Sequence, residues 1–172
     1  MTTAAMDRTL ILLRHAEAVA SSPEGDHERE LTETGHTQAQ SAGRWLREHA
    51  LGVDQVLCST AERTRQTAEG IWDGGCGEAD VHFDRQIYNA PADALLAVVR
   101  GADDDADVVM LVGHAPGVPA LASFLADGQG RGTAHEQMCH GFPPGAFAVL
   151  RYSGRWSGLG AGAALLRYFV RP

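Results

Sequence analysis

The sequence predicts an α/β fold, specifically a three-layer α/β/α sandwich with a mainly parallel central sheet. Short runs rich in leucine and β-branched residues alternate with segments of helical periodicity, which is typical of strand-helix-strand units. The run DVVMLVGH, ending at His114, is the most continuously apolar of them, as expected of a central strand buried on both faces. We expect the 172 residues to form a single domain over residues 1–172, with its core between residues 9 and 170.

Six strands are expected, and the connection between the last two indicates a mixed sheet. The stretch Tyr152–Gly162 is rich in Gly and Ser, which is typical of a hairpin between antiparallel strands. The acidic stretch Asp103–Asp107 is expected to be a solvated loop that leads into the fourth strand. In chain order the strand runs are Thr9–Leu13, Val53–Ser59, the weaker Val81–Phe83, Asp107–His114, Ala146–Tyr152 and Leu165–Val170.

Four helices are expected between these strands. The first lies within LTETGHTQAQSAGRWLREH, with Thr32 as its N-cap and its small and apolar residues on one face. The second begins after the second strand, because Ser59 and Glu62 have the spacing of a capping box, and it runs toward Trp72. The other two helices are Pro91–Val99, closed by Gly101, and Pro116–Ala126, ended by Gly128 and Gly130.

The charged residues exclude several classes of function. All 14 basic residues are arginines, and without lysine there is neither a P-loop nucleotide site nor Schiff-base chemistry. The formal net charge of −8 argues against the broad cationic surface that binds nucleic acids. Any site that binds an anion must therefore be local.

The cysteines and the hydropathy of the chain indicate its cellular compartment. Cys58, Cys76 and Cys139 are an odd number, widely spaced, and form no CxxC pair, so we expect no disulfide scaffold. The apolar run Leu10–Leu13 is too short for the core of a signal peptide. No segment approaches the roughly 20 apolar residues that span a bilayer. We therefore expect a cytoplasmic protein with no membrane partner.

Three of the predicted strands end in residues suited to holding a phosphoryl group. Arg14 and His15 end the first strand, Arg63 lies in the first turn of the helix after the second strand, and His114 ends the fourth. In open parallel sheets the ligand crevice lies beyond the carboxyl ends of the strands, so these side chains can converge. Helix N-termini at the same edge add unpaired N–H groups and a partial positive charge. The pattern predicts a phosphoryl site.

Each of these residues also has an ordinary structural interpretation. Arg63 could be a surface arginine paired with Glu62 or Glu69, and His114 could be a core histidine bonded to backbone. A cation in the first turn of a helix opposes the helix dipole, however, unless an anion sits between them. The location of all four residues at one predicted edge favours the functional interpretation.

Four ordered segments resemble the histidine phosphatase superfamily, also called phosphoglycerate-mutase-like. They are LLRHAEA, LTETGHTQA, CSTAERTRQTAE and LVGHAPG, and the resemblance runs from Thr9 to about Leu150. The short chain, with its IYNAPADALL and FPPGAFAVL segments, is similar to the small branch of SixA-type phosphohistidine phosphatases. This resemblance implies a phosphoglycerate-mutase-like fold and a hydrolase that needs no cofactor or metal. Its partner would be a phosphorylated protein or a small phosphorylated metabolite.

The resemblance also implies a role for each site residue. His15 would be the nucleophile that becomes phosphorylated, Arg14 and Arg63 would bind the phosphoryl oxygens, and His114 would contact the transferring group. General chemistry agrees, because an imidazole nucleophile must be neutral and nearby guanidinium groups disfavour its protonation. Arginine remains charged and offers phosphoryl oxygens a planar fork of donors.

The chain departs from the wider family in two ways. Ala16 stands where many members have glycine after the nucleophile, which adds a methyl group near the phosphate. Larger relatives carry an acidic proton donor in a segment that is short here, and Glu17, Asp84 and Asp93 are the candidates, with Glu17 first. A missing acid favours a phosphohistidine substrate, since a phosphorylated imidazole already protonated on its other nitrogen leaves as a neutral group.

Other histidines are expected to have lesser roles. The segment HEQMCH, with His135, Cys139 and His140, lacks the HExxH spacing of a metal site and is expected to border the substrate mouth. His27 and His36 are expected to face solvent. The segment SSPEGDHERE, after Ala20, is expected to be a mobile loop over the site that could set substrate preference.

Alternatives of three kinds remain open at this stage. Within the enzymes, the chain could be a small-molecule phosphomonoesterase or, less readily in so short a chain, a mutase. From a different class, it could be a non-catalytic phosphate-binding regulatory module, although binding alone does not need a nucleophile at a strand end. A zinc-binding protein is a distant third.

Overall fold

The structure is a computed structural model that describes residues 6–172. Seven strands and five α-helices alternate along this part of the chain, with short 3-10 turns between them. The strands are β1 (Asp7–Arg14), β2 (Gln55–Ser59), β3 (Asp80–Asp84), β4 (Val108–Gly113), β5 (Ala126–Gly130), β6 (Phe147–Ser153) and β7 (Ala164–Val170). The helices are α1 (Glu33–Glu48), α2 (Glu62–Asp73), α3 (Ala92–Arg100), α4 (Gly117–Leu125) and α5 (Gly132–Cys139).

All seven strands belong to one sheet, in the order β3-β2-β4-β1-β6-β7-β5. The half that carries β1, β4, β2 and β3 is entirely parallel, whereas β6 runs antiparallel to both β1 and β7. The predicted mixed sheet and the predicted hairpin between the last two strands are therefore confirmed. Residues 109–113 of β4 are buried, as expected for a central strand.

Helices cover both faces of the sheet, which gives the predicted three layers. Because successive side chains of a strand point to opposite faces, β1 contributes to two separate cores. Leu10 and Leu12 belong to the apolar cluster that includes α3 and α4. Ile11 and Leu13 belong to the cluster that includes α1 and α2. These buried clusters anchor the strand that the predicted nucleophile, His15, directly follows.

The helix signals read from the sequence are mostly confirmed. Thr32 caps α1, accepting a hydrogen bond from the Gly35 N–H at 3.0 Å. Gly43 permits close contact between α1 and α2, since a Cβ there would lie 2.0 Å from the backbone oxygen of Ile71. Gly101 caps the end of α3 as expected.

The structure differs from the sequence predictions at three places. The capping box at Ser59 is wrong, because α2 begins at Glu62 after Ala61 and has no side-chain cap. Strand β5 and helix α5 were not expected, and β5 occupies the glycine-rich segment predicted only to end a helix. The pairing of β5 with β7 is irregular, with Gly128 and Gly130 at positive φ, so neither periodicity nor propensity signals it.

Within residues 6–172, no helix combines the length and apolar character needed to cross a membrane. Cys58, Cys76 and Cys139 are unpaired. Burial raises the pKa of the Cys58 thiol to about 12, so this thiol remains protonated and behaves as a small apolar core residue.

Candidate active site

The two central parallel strands bring the predicted histidines together. In the β1–β4 register Arg14 lies opposite Gly113, so His15 and His114 leave the sheet side by side. The His15 N–H donates to the Gly113 carbonyl at 2.9 Å, and the two imidazole rings lie 5.3 Å apart, centroid to centroid. The two histidines therefore meet at the carboxyl edge of the sheet, as expected.

His15 has one ring nitrogen committed to the backbone. Its Nδ1 lies 2.8 Å from the Ala16 carbonyl oxygen, which can only accept a hydrogen bond. Nδ1 therefore carries the proton, and Nε2 keeps a lone pair. Burial, together with the charges of Arg63 and Arg14, lowers the pKa of His15 to about 4. The ring is thus neutral at physiological pH, as a nucleophile must be.

Arg14 lies at the end of β1 and is tied to a distant loop. One of its terminal nitrogens donates to the Phe142 carbonyl at 2.9 Å. The Gly145 N–H donates to the carbonyls of both Arg14 and His15, at 3.2 and 2.9 Å. The loop that precedes β6 therefore supports the backbone that carries both residues.

Arg63 is buried, with only 3% of its surface exposed, so its interpretation as a surface arginine is wrong. It pairs with neither Glu62 nor Glu69. Its Nη1 group donates to the backbone carbonyl of Asp26 at 2.8 Å, and its Nη2 group donates to the Asp26 carboxylate at 3.1 Å. The anion required beside a cation at a helix start is supplied here by the protein itself.

Asp26 belongs to the loop that the sequence places over the site. The hydroxyl of Tyr88 donates to its carboxylate at 2.5 Å, and Arg29 donates to its other oxygen at 2.9 Å. These hydrogen bonds, together with the charge of Arg63, hold the pKa of Asp26 well below its usual range. The Asp26 carboxylate is therefore a permanent anion at the place where a phosphoryl oxygen could bind.

His114 is buried and held from behind by a serine. Its Nε2 lies 2.8 Å from the hydroxyl oxygen of Ser59, and its ring packs at right angles to Tyr88, with 5.5 Å between centroids. Burial and the charges of Arg63 and His15 lower the pKa of His114 to about 3. Both histidines of the site are consequently neutral near pH 7.

Three nitrogen atoms of these residues are buried without a partner in the part of the chain that the structure describes. They are Nε of Arg14, Nε of Arg63 and Nδ1 of His114. A buried polar group without a partner costs about 1–3 kcal/mol, so native structures rarely keep one without a reason. These three nitrogens belong to the two arginines whose charges act on His15 and to the imidazole beside it, so together they fit an anion with several oxygen acceptors, such as a phosphoryl group.

Thr67 connects the backbone of the nucleophile to helix α2. Its hydroxyl accepts from the Ala16 N–H at 3.1 Å and donates to the Arg63 carbonyl at 2.6 Å. The Ala16 side chain is fully buried against Leu31 and Ala39. Thr67 therefore fixes the distance between the strand end that carries His15 and the helix that carries Arg63.

The three carboxylates considered as proton donors are engaged elsewhere. The Glu17 carboxylate is exposed and accepts a hydrogen bond from the Thr32 hydroxyl at 2.8 Å. Asp84 accepts from the Gln86 N–H, and Asp93 from the Ala94 N–H. Among residues 6–172, none of the three carboxylates forms a hydrogen bond with His15 or His114.

The remaining histidines agree only in part with the sequence predictions. His36 is exposed, as expected, whereas His27 is only partly exposed, with 32% of its side chain accessible. Its Nε2 lies 2.8 Å from the Thr60 hydroxyl, and its ring packs against Tyr88 at 5.0 Å, because the loop folds back over the start of α2. His135 and His140 each bond to a nearby backbone carbonyl at the two ends of α5. Their contact with substrate stays a prediction.

The side chains best placed to hold a metal ion within residues 6–172 lie away from this site. Ligand atoms of Asp80, His82 and Asp103 lie within 4.8 Å of one another. All three residues are exposed, and Asp80 and Asp103 precede or begin strands whose carboxyl ends form the histidine site. These residues therefore belong to the opposite edge of the sheet.

Sequence reasoning missed four residues that shape the site: Asp26, Tyr88, Ser59 and Thr67. Asp26 lies in the loop already expected to cover the site, and Thr67 lies one turn after Arg63 on the same helix, so both had weak local signals. The serine was assigned a helix cap instead. No local pattern distinguishes Tyr88 from an ordinary half-buried tyrosine.

Comparison with known proteins agrees with this geometry. Residues 10–87 match the sequence model of the histidine phosphatase superfamily (branch 1). An uncharacterised protein of Mycobacterium tuberculosis is 35% identical over 163 residues, covering 93% of this chain and 99% of that protein.

Two solved structures are similar over almost the whole chain. A protein from Nakamurella multipartitia, assigned as the phosphohistidine phosphatase SixA, has a TM-score of 0.85 and 38% identity, covering 96% of each chain. A protein from Agrobacterium tumefaciens with the same assignment has a TM-score of 0.77 and 29% identity, covering 96% of this chain and 99% of that one.

Proposed function

Because this chain belongs to the histidine phosphatase superfamily, in its SixA-type branch, and is therefore a phosphatase, we propose that it hydrolyses protein phosphohistidine through a phosphorylated His15. The observation that carries the proposal is a neutral His15, with Nδ1 committed to Ala16, beside residues with three buried nitrogens that lack a partner within residues 6–172. This arrangement combines a ready nucleophile with a preformed cradle for phosphoryl oxygens.

In the first step Nε2 of His15 attacks phosphorus, and the bond from phosphorus to the substrate nitrogen breaks. The bonding electron pair stays on that nitrogen, which leaves as neutral imidazole when its other ring nitrogen already carries a proton. The guanidinium groups of Arg14 and Arg63 bind the equatorial oxygens, where charge accumulates in the transition state. His114 donates to the same group through its unpartnered nitrogen.

In the second step water attacks the phosphorylated His15. Nδ1 of His15 retains its proton through the bond to the Ala16 carbonyl, so the phosphorylated ring is already protonated on its far side. When the bond from phosphorus to Nε2 breaks, the electron pair returns to Nε2 and the ring is neutral again. Water supplies the oxygen and both protons of the released dihydrogen phosphate. The cycle needs no external acid for its leaving group.

The phosphohistidine preference rests on the same point. A phosphomonoester leaves as an alkoxide, which requires a proton donor. Glu17, Asp84 and Asp93 are bonded elsewhere, and Asp26 remains ionised because its pKa is strongly lowered. Imidazole is the better leaving group for a site built in this way.

The test is to trap the phosphoenzyme. Wild-type protein is mixed with a labelled phosphohistidine peptide and quenched, and the label is expected on His15 in an acid-labile, base-stable form. His15→Ala should carry no label, whereas His36→Ala, which removes an exposed histidine of α1, should label like wild type. Equal turnover by wild type and His15→Ala would contradict the proposed mechanism.

A second measurement tests the substrate. We expect kcat/KM for a phosphohistidine peptide to exceed that for a phosphomonoester metabolite by at least about a hundredfold, the scale of one missing acid catalyst. Comparable values would favour a small-molecule phosphomonoesterase instead. Tight vanadate binding without hydrolysis of either substrate would indicate a binding module.

A further inference from the structure

Among the described residues, the hydroxyl of Ser59 is the only polar side-chain group that contacts Nε2 of His114. The hydrogen bonds of this hydroxyl show which of the two groups is the donor. Ser59 is fully buried at the end of β2. Its oxygen accepts from the Ala61 N–H at 3.3 Å and lies 2.8 Å from Nε2 of His114. A backbone N–H can only donate, so the serine oxygen is an acceptor toward Ala61.

The proton of this hydroxyl needs an acceptor of its own. Ser59 Oγ has no other hydrogen-bonding neighbour among residues 6–172, and a buried hydroxyl that only accepts would leave its proton unpaired. The lone pair of Nε2 in a neutral His114 satisfies it. The serine therefore donates to Nε2, and the imidazole proton must lie on Nδ1.

The proton on Nδ1 places a donor where the site needs one. Nδ1 is buried and has no partner in the part of the chain that the structure describes, and the centroid of its ring is 5.3 Å from that of His15. In the other tautomer Nδ1 would present a lone pair and would repel the phosphoryl oxygens. Fixing the tautomer therefore decides whether His114 attracts or repels the transferring group.

We propose that Ser59 is a positioning residue, which holds His114 in the Nδ1–H tautomer so that it donates to the phosphoryl group. Ser59 does not touch the reacting atoms. The catalytic part of this inference rests on the proposed phosphatase mechanism, whereas the tautomer itself does not depend on activity.

The experiment compares two variants of the same turn. Ser59→Ala removes the hydroxyl that contacts His114. Thr64→Val is the matched control, because Thr64 is equally buried and its hydroxyl donates to the carbonyls of Ser59 and Ala61, at 2.9 and 2.7 Å, and not to His114. Both variants lose one buried hydroxyl, but only the first leaves Nε2 of His114 without its donor.

The primary readout is the ¹⁵N NMR spectrum of histidine-labelled protein near pH 7, with His114 assigned from the spectrum of His114→Gln. Wild type and Thr64→Val should show a protonated Nδ1 and an unprotonated Nε2. Ser59→Ala should move the proton to Nε2 or give a mixture of tautomers. A wild-type His114 protonated on Nε2, or a Ser59→Ala spectrum unchanged from wild type, would overturn the inference.

The kinetic readout separates positioning from stability. Ser59→Ala should slow phosphoenzyme formation by about tenfold or more, the usual scale for losing an orienting partner, with little change in KM. Thr64→Val should lower Tm and keep the rate. An unchanged rate in Ser59→Ala would overturn the catalytic role. If wild type hydrolyses nothing while the tautomer behaves as expected, the proposed function fails and the tautomer assignment stands.

Discussion

Asp26 accepts two hydrogen bonds from the guanidinium of Arg63, one at its backbone carbonyl at 2.8 Å and one at its carboxylate at 3.1 Å. A substrate phosphoryl group is attracted by the same positive charge. The Asp26 carboxylate thus competes with the phosphoryl group for the charge of Arg63, while Nε of this guanidinium has no partner among the described residues.

Asp26→Asn should therefore tighten the binding of phosphate analogues. The amide keeps the size of the side chain and removes its negative charge, so the dissociation constant for vanadate should fall by about threefold to tenfold, the effect of roughly 1 kcal/mol. Calorimetric titration with vanadate measures it. Glu24→Gln, which removes a charge from the same loop without touching Arg63, controls for long-range electrostatics. Equal or weaker binding in Asp26→Asn would rule out the competition.

Arg63→Lys should abolish most activity although it keeps the charge. Lysine cannot reproduce a planar fork of donors, so the transition state loses at least one oriented hydrogen bond and kcat should fall by about a hundredfold or more. Arg65 also lies in α2, but it donates to the Thr60 carbonyl and packs on the ring of Phe83. The kcat of Arg65→Lys should therefore stay within about threefold of the wild-type value. Steady-state kinetics on one phosphohistidine peptide compares the two variants.

Thr67→Val should cost both stability and activity. Valine keeps the shape but leaves the Ala16 N–H buried without an acceptor, which should lower the free energy of unfolding by about 1–3 kcal/mol. Urea denaturation measures this loss. Thr37→Val, at an exposed position of α1, should change stability by less than about 0.5 kcal/mol. A Thr67→Val protein as stable as wild type would mean that water satisfies the freed N–H.

Stability should fall as the pH drops from 7 toward 5. In the folded protein the pKa values of His15 and His114 are lowered to about 4 and about 3. In the unfolded chain both histidines have the ordinary pKa of about 6.5. In that window the unfolded state binds more protons, so acid favours unfolding, by roughly 2–4 kcal/mol in total across these two units. Urea denaturation at each pH measures the loss. The double variant His15→Gln/His114→Gln should show a shallower pH dependence.

The sheet and the site residues were predictable for different reasons. Apolar runs such as the one before His114 are local signals, and the rule that ligands bind beyond parallel strand ends then brings Arg14, His15 and His114 to one edge. Helix α1 followed from the cap at Thr32 and its apolar face. These features need no knowledge of which distant segments touch.

The failed predictions concern residues whose partners are remote in sequence. Ser59 has the spacing of a capping box, yet its hydroxyl is turned to His114, 55 positions away, because a buried imidazole needs a partner. Asp26 looks like any loop carboxylate until the fold brings it to Arg63. Strand β5 exists only because β7 offers it an edge. In each case tertiary contacts, and not local propensity, determine the structure.

The backbone bond from His15 to Gly113 has a consequence for how activity arises during folding. The segment that matches the family ends at residue 87, yet His15 depends on β4 beside it and on the later turn at Gly145. A nascent or truncated chain that ends before these segments cannot assemble the cradle. We therefore expect the recovery of turnover after refolding to follow the long-range pairing of β1 with β4 rather than the early formation of helices.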